Sequence, residues 1–217
     1  MKVLVLAGDY WHPMEVVRRG LLEAGYEDLE FDFVEDAKDI LDPEFMRQYP
    51  LIVNCKGNSL TEANQNPWME AEVTEAGVSD FRAYVEEGGG LLVIHSGTTF
   101  GAHGGEEMAE FTGCRFIRHP KRCDIRIKVL KDHPITAGVR DFTIRDEHYE
   151  IEMLNQDAEL LLESSSETGG VQTAGYAFEC GKGRIAVLTP GHILSVWKNP
   201  EFRKLLKNAA SWCVKEC

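Results

Sequence analysis

Three histidines stand in equivalent places along the chain, and imidazole is the side chain that most readily binds metals or moves protons near neutral pH. Each follows an apolar run directly. His12 closes Gly8-Asp9-Tyr10-Trp11-His12 after the run 2–7, His95 opens His95-Ser96-Gly97 after Leu91-Leu92-Val93-Ile94, and His192 ends Thr189-Pro190-Gly191-His192. A further run, Leu51-Ile52-Val53, leads into Asn54-Cys55-Lys56-Gly57-Asn58. If these runs are strands of an open parallel sheet, the residues after them rim the crevice where such sheets bind ligands. The string Arg145-Asp146-Glu147-His148-Tyr149-Glu150 adds a carboxylate and a phenol. Glu147 and Tyr149 are two apart, so they share one face of an extended segment, suited to a general base, a metal ligand or a substrate anchor. Asp146, His148 and Glu150 read as charges exposed at a polar strand end.

Catalytic zinc is commonly held by three His, or by two His and one Glu, with one position left open. His12, His95, His192 and Glu147 have that chemistry, and zinc is the first choice of divalent metal for them. No short motif such as His-Glu-x-x-His enforces their geometry. Metal-free acid–base catalysis by His95, His192, Glu147 and Tyr149 therefore stays open beside metal binding.

Other chemistries are less well supported. His95 opens a strand-to-helix turn that resembles a nucleophile elbow, but no Gly-x-Ser-x-Gly occurs and no cysteine stands at its apex. Ser96 is expected to point elsewhere. Gly101-Ala102-His103-Gly104-Gly105 lacks both a phosphate-loop ending and a dinucleotide fingerprint, so it reads as a turn and no nucleotide cofactor is expected. His119 and His133 each precede proline and read as turn residues. Trp11, Trp68 and Trp197 are candidates to stack on a sugar face.

The elements that must position these residues follow from periodicity. Residues 2–7, 51–53 and 91–94 are continuously apolar, as in strands buried on both faces, while 29–34 alternates. Helical spacing marks 14–24, 43–48, 68–87 (with an interruption near Gly77) and the terminal segment 199–215. The alternation is that of an α/β fold: a flavodoxin-like, doubly wound, mostly parallel sheet with helices on both faces. After Gly113, short strands at 123–130, 142–144 and 158–163 and a hairpin at 174–188 turning at Gly181-Lys182-Gly183 extend the same sheet. The expectation is one domain over residues 1–217.

A formal net charge of −13 argues against a nucleic-acid partner, and carboxylates flank the only basic stretch, 115–126. No segment approaches the ~18–20 apolar residues that cross a bilayer, and six cysteines lack any Cys-x-x-Cys pairing. The reading is a cytoplasmic chain with reduced thiols and no membrane partner. Homo-oligomerisation stays open.

Gly88-Gly89-Gly90-Leu91-Leu92-Val93-Ile94-His95-Ser96-Gly97, Asp132-His133-Pro134-Ile135-Thr136-Ala137-Gly138-Val139, Asp146-Glu147-His148-Tyr149 and Gly181-Lys182-Gly183-Arg184 leading to Pro190-Gly191-His192 occur in that order. As a set they resemble the ThuA-like (trehalose utilisation) family, related in fold to the class I glutamine amidotransferases. The resemblance puts His95 where the amidotransferases carry their cysteine, and so implies that thiol chemistry is absent. It also implies a carbohydrate substrate, a disaccharide or 3-keto-glycoside. A metal held by some of His12, His95, His192 and Glu147 would polarise a keto oxygen while Glu147 or a histidine moves the adjacent proton. The alternative is a non-catalytic sugar-binding module on the same scaffold. What separates the two is whether His95, His192 and Glu147 converge on one point.

Overall fold

The computed structural model describes residues 1–37, 40–57, 76–100 and 105–215. Its strands are β1 (Lys2–Ala7), β2 (Glu30–Val34), β3 (Leu51–Cys55), β4 (Gly90–Ile94), β5 (Cys114–Arg118), β6 (Cys123–Val129), β7 (Phe142–Asp146), β8 (Glu150–Met153), β9 (Glu159–Ser166), β10 (Gly170–Cys180) and β11 (Gly183–Leu188). The helices are α1 (Met14–Leu22), α2 (Pro43–Met46), α3 (Val78–Glu86), α4 (Gly105–Thr112), α5 (Leu194–Trp197) and α6 (Pro200–Cys213).

The apolar runs form the centre of a nine-stranded sheet of order β2-β1-β3-β4-β11-β10-β9-β6-β7. From β2 to β11 all neighbours are parallel, the flavodoxin-like order of a doubly wound sheet. Alternate residues of β1 serve opposite faces, as a strand covered on both sides requires. Val3, Val5 and Ala7 pack with Val17 and Leu21 of α1, Trp197 of α5 and Phe202 of α6. Leu4 and Leu6 pack with Met46 of α2, Phe81 and Val85 of α3 and Met108 of α4. The helices start where their sequences cap them. Asp42 Oδ1 accepts from Phe45 N at 2.7 Å before Pro43, and Asn199 Oδ1 accepts from Glu201 N at 2.9 Å before Pro200.

The helix expected over 68–87 is α3 alone among the described residues. It begins after Gly77, whose N–H bonds the Asp80 carboxylate at 2.8 Å, while 68–75 lie outside the described residues. Trp68 and His103 lie outside them too.

Beyond β11 the sheet turns antiparallel through β10, β9, β6 and β7, so the second half of the chain extends the same sheet as expected. This half curls. Ile125, Ile127, Phe142 and Ile144 of β6 and β7 share a core with Phe202, Leu205 and Ala209 of α6. The edge strand β7 thereby returns towards the parallel half, and its last residue, Asp146, accepts hydrogen bonds from Gly191 N (2.8 Å) and His192 N (3.2 Å) after β11. Strands β5 and β8, which periodicity did not mark, pair antiparallel as a separate two-stranded sheet beside the strand tips.

Candidate metal centre

Four strand tips meet in one hollow. His95 follows β4 with φ of 48°, the left-handed conformation expected of an elbow residue and uncommon outside glycine. Close packing fixes that elbow: a Cβ on Gly97 would stand 2.2 Å from the carbonyl oxygen of Asn54 on β3. Ser96 points away, donating to the Cys55 carbonyl at 2.6 Å. His192 follows Gly191, whose φ of 149° turns the chain back after β11. His12 enters from the loop after β1, and Glu147 from the loop after β7.

The distances are those of a ligand set. His95 Nε2 lies 3.4 Å from His192 Nδ1 and 3.5 Å from Glu147 Oε2, and His192 Nδ1 lies 3.2 Å from Glu147 Oε2. With His12, one ligand atom from each of the four falls within 4.8 Å of all the others. Ligand atoms ~2.0–2.1 Å from a zinc ion sit roughly 3.4 Å apart at tetrahedral angles. The three edges between His95, His192 and Glu147 are close to that spacing.

The surroundings orient these rings for the same task. The Thr189 carbonyl accepts from His95 Nδ1 at 2.8 Å, which leaves the lone pair of Nε2 facing the hollow. Asp9 Oδ1 holds His12 Nδ1 at 2.7 Å, so His12 Nε2 is the inward atom. That nitrogen is buried with no hydrogen-bond partner among the described residues. A carboxylate or carbonyl behind a ligating imidazole is the usual way its tautomer is fixed. The tip of β3 supports this arrangement instead of entering the hollow: Gly57 N donates to Asp9 Oδ2 at 3.1 Å, and buried Lys56 donates to the Glu35 carbonyl.

Burial and neighbouring groups also set the ionisation of the side chains around the hollow. Burial raises the Glu147 carboxyl, but hydrogen bonds and charge from His192 and His95 outweigh it and hold the group well below the usual carboxylate range. Burial lowers His12, against the pull of Asp9, and so favours its neutral, ligating form. Tyr149, stacked on His95 at 4.0 Å, is pushed well up by burial and by Glu147, and stays a neutral phenol. Cys55, the cysteine at the β3 tip, is buried and its thiol is pushed far up by burial, which removes it as a nucleophile.

Above the hollow opens a cleft of about 560 Å³ walled by Trp11, Phe116, His119, Arg122 and Tyr149, with Glu147, His12 and His192 at its floor. His119 reaches to 3.6 Å from Glu147 Oε2 and stacks near Tyr149, with ring centroids 5.6 Å apart.

The structure thus brings together the catalytic and metal-ligand candidates, His12, His95, Glu147, Tyr149 and His192. Three expectations are corrected. Asp146 is fully buried and anchors the His192 loop instead of facing solvent. His148 is buried too, because Ser164 and Ser166 satisfy its ring. Trp197 is a core residue whose indole N–H donates to the Gly191 carbonyl at 2.8 Å, so it offers no sugar platform, whereas Trp11 is exposed at the cleft. Sequence reasoning missed Asp9, Asp146 and Arg122 and read His119 only as a turn. For Asp9 the available signal was a carboxylate at a strand tip three residues before His12. For His119 and Arg122 there was none.

A family model described as ThuA, trehalose utilisation, matches residues 2–213. The chain belongs to the ThuA family. A comparison with curated proteins finds no match. Among solved structures, a ThuA-like protein from Bacteroides uniformis superposes with a TM-score of 0.73 at 20% identity, covering 99% of this chain and 91% of that one. A ThuA-like protein from Parabacteroides merdae gives 0.74 at 18% identity, covering 100% and 90%. A Salmonella typhimurium protein described as cytoplasmic, STM3548, gives 0.64 at 14% identity, covering 98% and 99%. These likenesses show the fold, and ThuA membership points to a carbohydrate-related role. No helix among the described residues is long and apolar enough to cross a membrane.

Proposed function

We propose that this ThuA protein is a metal-dependent cytoplasmic enzyme acting on a sugar oxidised to a ketone, such as a 3-keto-glycoside, and that it loosens the glycosidic bond by removing the proton next to the carbonyl. The observation that carries this reading is the convergence of His12, His95, Glu147 and His192, with the buried His12 Nε2 lacking a partner among the described residues. A divalent ion held there would supply a Lewis acid for a ketone oxygen. Four protein ligands fill a tetrahedron, so an ion accepting five or six ligands is the one that keeps a position for substrate.

The chain's own residues do the rest. Asp9 and the Thr189 carbonyl hold two imidazoles in register, and Asp146 holds the His192 loop through its backbone. The Pro120 carbonyl accepts from His119 Nδ1 at 2.8 Å, which leaves the lone pair on Nε2, 3.6 Å from Glu147 Oε2, to take the α-proton. As that C–H bond breaks, its electrons form a carbon–carbon double bond and the bond to the departing glycosidic oxygen breaks, its pair leaving on that oxygen. Trp11 and Phe116 supply aromatic faces for sugar rings. Support for a cytoplasmic location comes from the free cysteines 55, 114, 123, 180 and 213 and from the description of one solved neighbour.

Elemental analysis of the purified protein, followed by incubation with 3-keto-glucosides, tests the reading. One divalent ion per chain and release of the aglycone are expected. A metal-loaded protein that leaves every 3-keto-glucoside intact would overturn it.

A further inference from the structure

Most of the basic stretch 115–126 is ion-paired in the fold, and its cations with no partner among the described residues are Lys121 and Arg122. Arg115 pairs with Glu106 and with Glu152, Arg118 with Glu150 at 2.9 Å, and Arg126 with Asp141 at 3.2 Å. Every other arginine of the chain has an ion pair, a backbone carbonyl or an aromatic face as partner: Arg18, Arg19, Arg47, Arg140, Arg145 and Arg184 are ion-paired. Arg82 lies over Phe111, and Arg203 donates to the Trp197 carbonyl. Arg122 alone has none among the described residues, and it lines the 560 Å³ cleft. In a chain with 36 acidic and 23 basic residues, an unpaired guanidinium on a cleft wall is open to a ligand.

We infer that Arg122, on the β5–β6 turn, forms an anion subsite, and that the substrate is a sugar bearing a carboxylate or phosphate away from its reacting carbon. The inference rests on the sugar-enzyme reading above and narrows its substrate class. A guanidinium fork matches two anionic oxygens at once, which a neutral hydroxyl does not offer. Position follows from charge. The guanidinium stands on the cleft wall, whereas at the floor the carboxylates of Asp9 and Glu147 offset the charge of the proposed ion, so the anionic group belongs at the wall while a neutral part of the sugar meets the imidazoles. The overall charge of −13 gives no general attraction for anions, so the local guanidinium has to supply the selectivity.

The test is calorimetric binding of methyl β-glucuronide, glucose 6-phosphate and methyl β-glucoside to the metal-loaded protein and to Arg122→Gln, with metal content measured on the same samples. At least one anionic sugar should bind roughly tenfold more tightly than the neutral one, and Arg122→Gln should erase that ratio while leaving metal content and neutral-sugar binding unchanged. Which of the two anions gains shows whether carboxylate or phosphate is preferred. Equal binding of all three sugars, or a ratio that survives Arg122→Gln, overturns the subsite and leaves the metal reading standing. A protein that takes up no metal and binds none of the sugars overturns both. Arg122 is exposed, so the variant is expected to fold, and unchanged thermal unfolding confirms it.

Discussion

Two buried histidine environments lie side by side in sequence and are solved in opposite ways. His148, 1% exposed, has a hydroxyl for each nitrogen: Ser166 Oγ stands 2.7 Å from Nδ1 and Ser164 Oγ 2.9 Å from Nε2. Ser164 donates onward to the Gln172 carbonyl, and Gly169 N donates to Ser166, so both hydroxyls are tied into the backbone. Around Glu147, one residue earlier, the ring nitrogens of three histidines face one another and a carboxylate. Leaving a buried polar atom unpaired costs about 1–3 kcal/mol. Folding accepts that cost at His12 Nε2 and removes it at His148. Burial of a histidine therefore says little about function; where its second nitrogen points says much more.

The contrast can be broken most forcefully at His95. His95→Ala should lower metal affinity by more than about a hundredfold, since it removes a ligand outright where loss of a supporting group alone typically costs 10–100-fold. Titration followed by elemental analysis reads this, and full metal content in the variant would erase the distinction between the two environments. Asp9→Ala leaves all four proposed ligands in place but frees the His12 ring, so a smaller loss of about 10–100-fold is expected. His148→Ala should do the reverse. It takes one partner from each of Ser164 and Ser166 and opens a void, lowering unfolding free energy by about 2 kcal/mol in urea, with metal content untouched. Loss of metal there would mean that the serine-lined pocket belongs to the site.

The smallest effect is expected at His133, half-buried, whose Nδ1 accepts from Ile135 N at 3.1 Å. Burial lowers its pKa in the fold, so the unfolded chain takes up the proton first. Its contribution is present above about pH 6.5 and is lost as pH falls through the lower folded value. After allowance for solvent screening this is well under about 1 kcal/mol. His133→Asn, which keeps a capping acceptor, should flatten the stability–pH curve slightly in that window, and an unchanged slope would rule the term out.

The parallel half of the fold was legible because strands buried on both faces leave continuous apolar runs, and the residues after those runs are tip residues by construction. Hence His95 and His192 were found together with the strands that carry them. Glu147 and Tyr149 were found by period-two spacing, but the same string misled for Asp146 and His148. A polar strand end can be buried only if something polar meets it, and the partners, Gly191 N and Ser164, come from distant strands. The curl that returns β7 to the β11 tip is a tertiary property with no local signature. Neither His119 nor Arg122 could be placed, since a turn's sequence does not say which cleft it overhangs.

The Asp146 clamp has a consequence for when the centre can exist. Its four proposed ligands come from loops after β1, β4, β7 and β11, and the clamp holds the loop from the last of these strands to the edge of the curled half. During synthesis, an emerging chain that lacks β11 has neither His192 nor the amides that Asp146 binds. If the proposed ion is bound, a full set of four ligands would form only after completion of the sheet, which would make an occupied centre a late marker of maturation.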